Sequence, residues 1–391
     1  MINIKLIKLL FVCAFCCFNF LVFAQSSSTE QVSGNNPIST AVPFLSVNPD
    51  ARHNAMGGVG VATSPDATSE YWNPSKYAFV EEKYGIALTY TPWLRKLVNG
   101  ISLTYLSGFY KIDNNQTFGS SLRYFSMGSI QLTDNDGTNI ASVSPNEFAF
   151  DVSYSKKLSD CISGGVALRY IHSGLPAGIG TGTYVSGNAF AADISFFYKN
   201  KLDDQSSIAA GVNLSNIGSK ISYYNGQNKE FLPANFRFGS TYSLDIDNLN
   251  SLSFSLDCNK LLVPTPYIAT SVSEDNNLIV SKNNNTNKSV ISALFSSFTD
   301  APGGLKEELQ EICMSTGVEY WYDHKFAGRI GYSYENQNKG NRKYISLGVG
   351  AKTNICSIDL SYLLPLRANN SLANTFCISL LFDINNFRQL N

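Results

Sequence analysis

The sequence predicts an all-β chain: a transmembrane antiparallel β-barrel of about fourteen strands that encloses an N-terminal plug. Three observations carry this expectation. From Tyr84 to Asp383 apolar and polar residues alternate in segment after segment, the period of a strand whose two faces meet different surroundings. The joints between these segments alternate between tight turns and long loops. The ionisable residues within them fall on one parity, so one face carries them all. Composition agrees. Aromatic residues make up 13% of the chain and charged ones 15%, against ~25% charge in typical soluble domains. The net charge is −1 and no basic stripe is present, which gives no case for nucleic acid.

Met1–Ala24 reads as a secretory signal peptide. Lys5 and Lys8 precede an apolar core at Leu9–Phe23, and Val22-Phe23-Ala24 is an acceptable cleavage site before Gln25. The alternative, an uncleaved anchor helix, has an apolar run short for spanning. Cys13, Cys16 and Cys17 lie in this leader without a lipidation pattern. Five cysteines then remain (Cys161, Cys258, Cys313, Cys356 and Cys377), an odd number with no CxxC pair, expected to be free thiols. With three scattered histidines, no metal site or cofactor is expected.

Residues 25–83 form a periplasmic tail, to about Val42, followed by the plug. The stretch Arg52–Phe79 holds no sustained period. Gly57, Gly58 and Gly60 and the prolines Pro65 and Pro74 interrupt it, yet Met56, Tyr71, Trp72, Tyr77 and Phe79 are too many large side chains for a free linker. Ordering such a backbone costs ~1–2 kcal/mol per residue, so the segment needs a container. Arg52, Met56, Gly57, Gly58, Gly60, Trp72, Asn73 and Pro74 are its marker residues. The glycine cluster lacks GxGxxG spacing and any Gly-Lys-Ser/Thr, so a nucleotide loop is disfavoured. Glycines that let backbone press on a wall explain it better.

The container is the barrel, residues 84–384. Its strands are read at Tyr84–Thr91, Gly100–Tyr110, Thr117–Met127, Phe148–Ser155, Ile162–Arg169, Phe190–Tyr198, Ile208–Ser215, Phe236–Leu244, Leu252–Asp257, Thr316–Tyr322, Phe326–Glu335, Ile345–Lys352, Ile358–Leu364 and Phe376–Asp383. Tight joints fall at Asp113-Asn114-Asn115, Ser159-Asp160, Leu202-Asp203-Asp204, Ile246-Asp247-Asn248, Asp323-His324 and Thr353-Asn354. Between them lie Gly128–Asn146, Gly174–Gly187, Gly218–Leu232 and the long extracellular loop 261–312. Outer-membrane barrels sort their connections in this way, whereas a soluble sandwich has no reason to. Residues 385–391 form a short C-terminal tail. Loops are expected outside the cell and both termini in the periplasm.

A lipid-facing Arg or Lys costs ~2–4 kcal/mol near the midplane, so charges within strands should point inward. Arg123, Asp151, Arg169, Asp193, Arg237, Asp257, Glu319, Arg329 and Asp359 all take the polar parity. Four arginines facing five carboxylates suggest a mostly paired network that grips a plug, with a merely solvated interior as the alternative. His172-Ser173 is the minimum for a lipid hydrolase, but neighbours in a strand point to opposite faces, and no GxSxG elbow exists. Apolar residues in the loops, Trp93, Leu94, Leu97, Leu261, Leu262, Val263, Tyr267, Phe295 and Phe298, serve either a partner or the loops' own packing.

Ala55-Met56-Gly57-Gly58-Val59-Gly60-Val61-Ala62, then Asp66-Ala67 and Trp72-Asn73-Pro74, resembles the N-terminal signature of FadL-like outer-membrane barrels. The fuller wording from Asp50-Ala51-Arg52 to Asn73-Pro74-Ser75-Lys76-Tyr77-Ala78-Phe79 is similar to the PorV (LptO) branch. The resemblance implies a fourteen-stranded barrel with an N-terminal hatch, a non-enzymatic component of type IX protein secretion. Implied partners are secreted cargo bound through its C-terminal signal domain, the SprA-type (Sov) translocon, the PorU, PorQ and PorZ attachment complex, and outer-membrane lipid and lipopolysaccharide. The alternatives are a FadL-like channel for hydrophobic small molecules and a lipopolysaccharide deacylase. One departure is the chain end, Phe387-Arg388-Gln389-Leu390-Asn391, which is not aromatic. Phe382 is the expected substitute as insertion signal.

Overall fold

A computed structural model describes residues 36–93, 100–133, 136–174, 185–223, 228–272, 278–283, 287–366 and 375–383. Its strands are β1 (Tyr84–Pro92), β2 (Ile101–Lys111), β3 (Gln116–Met127), β4 (Ile130–Thr133), β5 (Asn139–Val143), β6 (Asn146–Lys157), β7 (Ile162–Gly174), β8 (Gly187–Lys201) and β9 (Ser206–Gly218). They continue as β10 (Asn235–Asp245), β11 (Asn250–Leu261), β12 (Tyr267–Val272), β13 (Leu278–Asn283), β14 (Cys313–Tyr322), β15 (Phe326–Tyr334), β16 (Lys343–Lys352), β17 (Cys356–Pro365) and β18 (Phe376–Asp383). All but β4, β5, β12 and β13 pair in sequence order, and β18 pairs with β1 to close a 14-strand antiparallel barrel. Each of the fourteen segments marked by alternation is a wall strand.

Period two decides which side chain meets which medium. On β7, Val166 and Leu168 are 52% and 69% exposed, while the alternating Ala167 and Arg169 are 1% and 3% exposed. The outer surface carries Ile86, Leu88, Leu122, Val152 and Ile194 at mid-height, with Tyr84, Tyr110, Phe118 and Tyr322 near one rim and Tyr90, Tyr124 and Phe190 near the other. Such aromatic girdles mark the two interfaces of a membrane barrel. Among the described residues no helix is long and apolar enough to cross a membrane.

Three tight turns share one local chemistry. In Ile112–Asn115, Leu202–Gln205 and Ile246–Leu249 an Asp side chain accepts the backbone N–H two residues on, at 2.7, 2.9 and 2.8 Å. This Asx geometry reverses the chain without help from the core. It also holds the exposed Asp247 carboxyl below the usual range, the Leu249 N–H contributing most.

The connections at the opposite rim contain more structure than the sequence suggested. Residues 128–145 hold the β4–β5 hairpin. The long loop holds the β12–β13 hairpin and two short helices, α3 (Val290–Ser296) and α4 (Leu305–Gln310). Two earlier ones, α1 (Ala51–Ala55) and α2 (Ser69–Trp72), lie in the N-terminal segment. β18 keeps Phe382 exposed on the outer surface. The signal-peptide stretch and residues 385–391 lie outside the described residues.

One expectation is corrected. Residues 36–42 are not a tail on the side opposite the long loops. Asn36 N–H donates to Asn338 O and its side-chain amide to Pro266 O, both 2.9 Å, and Ala41 N–H donates to Phe231 O at 3.0 Å. All three acceptors belong to long-rim connections. At the other end of the segment, Val80 O accepts from Lys111 Nζ at 2.7 Å, beside the short turns. The described chain therefore starts at the long-loop rim, runs down the lumen and enters β1 at the short-turn rim, where β18 also finishes.

Leu168→Arg, at mid-strand on the outer surface, is expected to cost about 2–4 kcal/mol, and Leu158→Arg, in a short turn, about 0–1 kcal/mol. Denaturant titration of protein refolded into phosphatidylcholine vesicles measures both.

Candidate functional site

The N-terminal segment is a small, densely bonded body. Asp50 caps α1 by accepting from His53 N–H at 3.0 Å, and its second oxygen accepts from the Trp72 indole at 2.6 Å. His53 Nδ1 lies 2.7 Å from Asp50 Oδ1, and Nε2 lies 2.9 Å from Thr63 Oγ1. Gly57 and Gly58 take φ of +75° and +82°, turning the chain back after α1 where a side chain would be strained. A Cβ on Gly60 would stand 2.2 Å from the Trp72 ring, so that glycine seats the indole. Asn73 caps the next turn through Ser75 N–H, with Pro74 at its first position.

The inner face of the wall supplies what this irregular backbone cannot give itself. Ser346 Oγ accepts from Gly57 N–H at 2.8 Å and donates to Ala55 O at 2.9 Å. Asp257 accepts from Gly60 N–H and Val61 N–H at 2.7 and 3.0 Å. Asn213 donates to Trp72 O at 3.0 Å, and Ser163 donates to Ser75 O at 2.7 Å. At membrane depth such pairing is obligatory, since an orphaned peptide group costs several kcal/mol.

Ion pairs complete the seat. Arg52 of the plug reaches Glu319 at 2.8 Å and Asp66 at 2.7 Å, while Arg329 reaches the same Glu319 at 2.7 Å and Asp359 at 2.6 Å. Across the lumen Arg169 bridges Asp151 and Asp193, and Arg123 approaches Asp151 at 3.5 Å. Arg237 differs. Among the described residues it makes no ion pair; its guanidinium lies 4.8 Å from the Trp72 ring centre and 5.5 Å from that of Tyr71. It is 8% exposed, and its Nε is buried without a partner.

Above the plug a recess of about 630 Å³ opens among the long connections. Its lining includes Arg123, Arg169, Arg237, Asn216, Asn235 and Asn259, with Trp93, Leu261, Tyr71 and Ile38 as apolar neighbours. Arg237 therefore brings to the recess a cation that rests on two aromatic faces and makes no close ion pair among the described residues, with Asp257 within electrostatic reach and Glu311 and Glu335 also in the lining.

The nine inward-parity charges are all buried in the lumen, and every marker residue of the plug is buried too. The loop residues separate into groups. Trp93 and Leu261 line the recess. Leu262 and Val263 are buried, Val263 packing with Phe231 of the β9–β10 connection and Ala293, so neither is open to a partner. Phe295 and Phe298 are exposed. Tyr267 lies in β12, and Leu94 and Leu97 fall outside the described residues. Cys161, Cys313, Cys356 and Cys377 are free thiols. Ser173 is buried, bonded to Glu147 and Tyr223, whereas His172 faces outward against Phe148 and Asn188; the two do not meet.

Sequence reasoning missed the glycines of the wall. A Cβ on Gly331 would stand 2.0 Å from Gly57 N, one on Gly317 2.5 Å from Met56 Cβ, and one on Gly211 2.2 Å from Val61 O. Gly317 and Gly331 are cross-strand partners, as are Gly211 and Gly239, so each pair forms a flat place on which plug backbone lies. The signal was there to find: glycine at inward parity in mid-strand, where it otherwise only weakens a strand.

Gly331→Ala is expected to cost about 1–3 kcal/mol of plug docking through overpacking. Arg52→Met, which breaks a buried pair, should cost about 3–5 kcal/mol. Hydrogen exchange should rise across residues 50–61 in both variants while the wall strands stay protected.

Comparison with known proteins agrees with this architecture. A sequence model described as "Type IX secretion system protein PorV" matches residues 29–268. Among solved structures, a deletion variant of the monoaromatic hydrocarbon channel TodX superposes with a TM-score of 0.55 at 12% identity, covering 86% of this chain and 99% of that one. A Pseudomonas aeruginosa FadL homologue gives 0.43 at 12% identity, covering 90% and 100%. The Ralstonia pickettii toluene transporter TbuX gives 0.46 at 12% identity, covering 85% and 96%. At such identities the TodX likeness shows the fold alone. No curated protein matched. A family match over more than half of the sequence decides the assignment: this chain belongs to the PorV family of type IX secretion system proteins.

Proposed function

We propose that this barrel binds the C-terminal signal domain of secreted proteins at its long-loop mouth and carries them from the translocon to the surface attachment complex. The observation that carries this reading is a polar recess above a seated plug, lined in part by Arg237, which rests on aromatic rings and makes no close ion pair among the described residues. A lumen filled by bonded backbone suits holding a protein segment at the rim better than passing solutes. The recess offers an extended segment a cation and amide side chains for its carbonyl groups, with Trp93 and Leu261 as apolar grip. On this reading the long loops face outward, and residues 36–42 lie on that same side. The SprA-type translocon, the PorU sortase, PorQ and PorZ are the partners that the family assignment brings.

Two other readings fare less well. FadL-like uptake of hydrophobic molecules needs an open apolar path, and here the apolar residues of the inner face, Leu103, Ile171 and Phe197 among them, are packed against the N-terminal segment, between hydroxyls, amides and paired charges. Lipid deacylation would need His172 and Ser173 together, and they lie on opposite faces.

Arg237→Met keeps the stem that packs on Trp72 and removes the charge. Losing a charge-assisted hydrogen bond of ~1.5–3 kcal/mol should weaken capture of a purified cargo signal domain by roughly ten- to a hundredfold, with barrel insertion unchanged. Unchanged capture would remove the recess from the binding surface.

A further inference from the structure

We propose that helix α3 of the long loop lies in the membrane interface and rests its exposed apolar face on the acyl chains of the leaflet at that rim. The helix has two distinct sides. Ala293 is 1% exposed and packs with Phe231 and Val263, with Val290 beside it. Ile291 and Phe295 stand two residues to either side of Ala293. At about 100° per residue they come out on the opposite face. They are 70% and 76% exposed. They are also one turn apart, so they form one apolar ridge.

Continuity with the lipid-facing wall identifies what covers that ridge. Phe298, just beyond α3, sets its ring edge against Phe236 with centroids 6.5 Å apart. Phe236 in turn lies 6.0 Å from Phe238. Arg237 between them points into the lumen, so Phe236 and Phe238 belong to the outer surface, where Phe238 is 49% exposed. The loop thus reaches the outside of the barrel at Phe298, while the buried face of α3 packs with Ile38 at the edge of the recess and the ridge points the other way. Its aromatic residues extend the girdle of β10 by one more layer. At the start of α3 the Lys220 ammonium donates to Lys288 O at 2.5 Å and lies 4.2 Å from the Phe231 ring centre, which ties this end of the helix to the β9–β10 connection. An apolar ridge and an aromatic bridge to the lipid-facing wall fit an interfacial helix.

The test places a reporter on the ridge of the full-length protein. The chain's own indoles, Trp72, Trp93 and Trp321, lie in the plug, at the recess and on inward parity, so none of them faces lipid. Phe295→Trp and, separately, Ile291→Trp are reconstituted in phosphatidylcholine vesicles with acyl chains brominated near the headgroup. Phe238→Trp serves as the wall reference. Both ridge variants should lose a share of their added emission comparable to that of the reference and should resist acrylamide from the aqueous side. Quenching of the Phe238→Trp variant alone, with both ridge indoles open to acrylamide, would overturn the proposal and leave the ridge to a protein. Because cargo is absent from the experiment, its outcome is independent of the binding role.

Discussion

Glu319 accepts from Arg52 of the plug and Arg329 of the wall at once, and the seating of the N-terminal segment depends on that shared carboxylate. A lone carboxylate in the low-dielectric lumen would be strongly penalised, and a single partner offsets the penalty only with good geometry. Two guanidiniums from different parts of the chain meet that requirement. They also tie segments 267 residues apart in sequence. The remaining bonds follow the same logic. Serine, asparagine and aspartate side chains of the wall pair with plug peptide groups that have no water to turn to.

Packing sets the limit on this electrostatic seat. Plug backbone comes so close to β14 and β15 that only glycine fits beneath it, and Trp72 can lie flat only because position 60 carries no side chain. Polar pairing gives the segment its orientation, and absence of side chains gives it room. Either alone would leave a gap or a clash.

Much of this was legible in the sequence, for a definite reason. A closed wall between lipid and a plugged, largely polar interior imposes period two on every strand. Parity alone therefore placed Arg169 and Asp257 inside and Leu168 outside, and the alternation of short and long joints fixed the up-and-down order. What parity cannot carry is partnership. Counting arginines against carboxylates implied a nearly closed network, yet Arg237 stands on aromatic rings while Asp257 serves the plug backbone. Neither choice has a local signature. The route of residues 36–42 was illegible for a related reason, since it rests on contacts with Pro266 and Asn338, far along the chain. Leu262 and Val263 looked available because a short apolar run in a loop reads alike whether it greets a partner or packs beneath a helix.

The thread of the N-terminal segment through the ring has a mechanical consequence. Its downstream end is continuous with β1 and its upstream end is held among the long connections, so the strand circle is closed around a cord fixed at both rims. Such a cord can vacate the bore entirely in one direction only, toward the short turns, and residues 36–49 must be drawn down with it. Opening the bore and releasing the upper anchor are thus a single event.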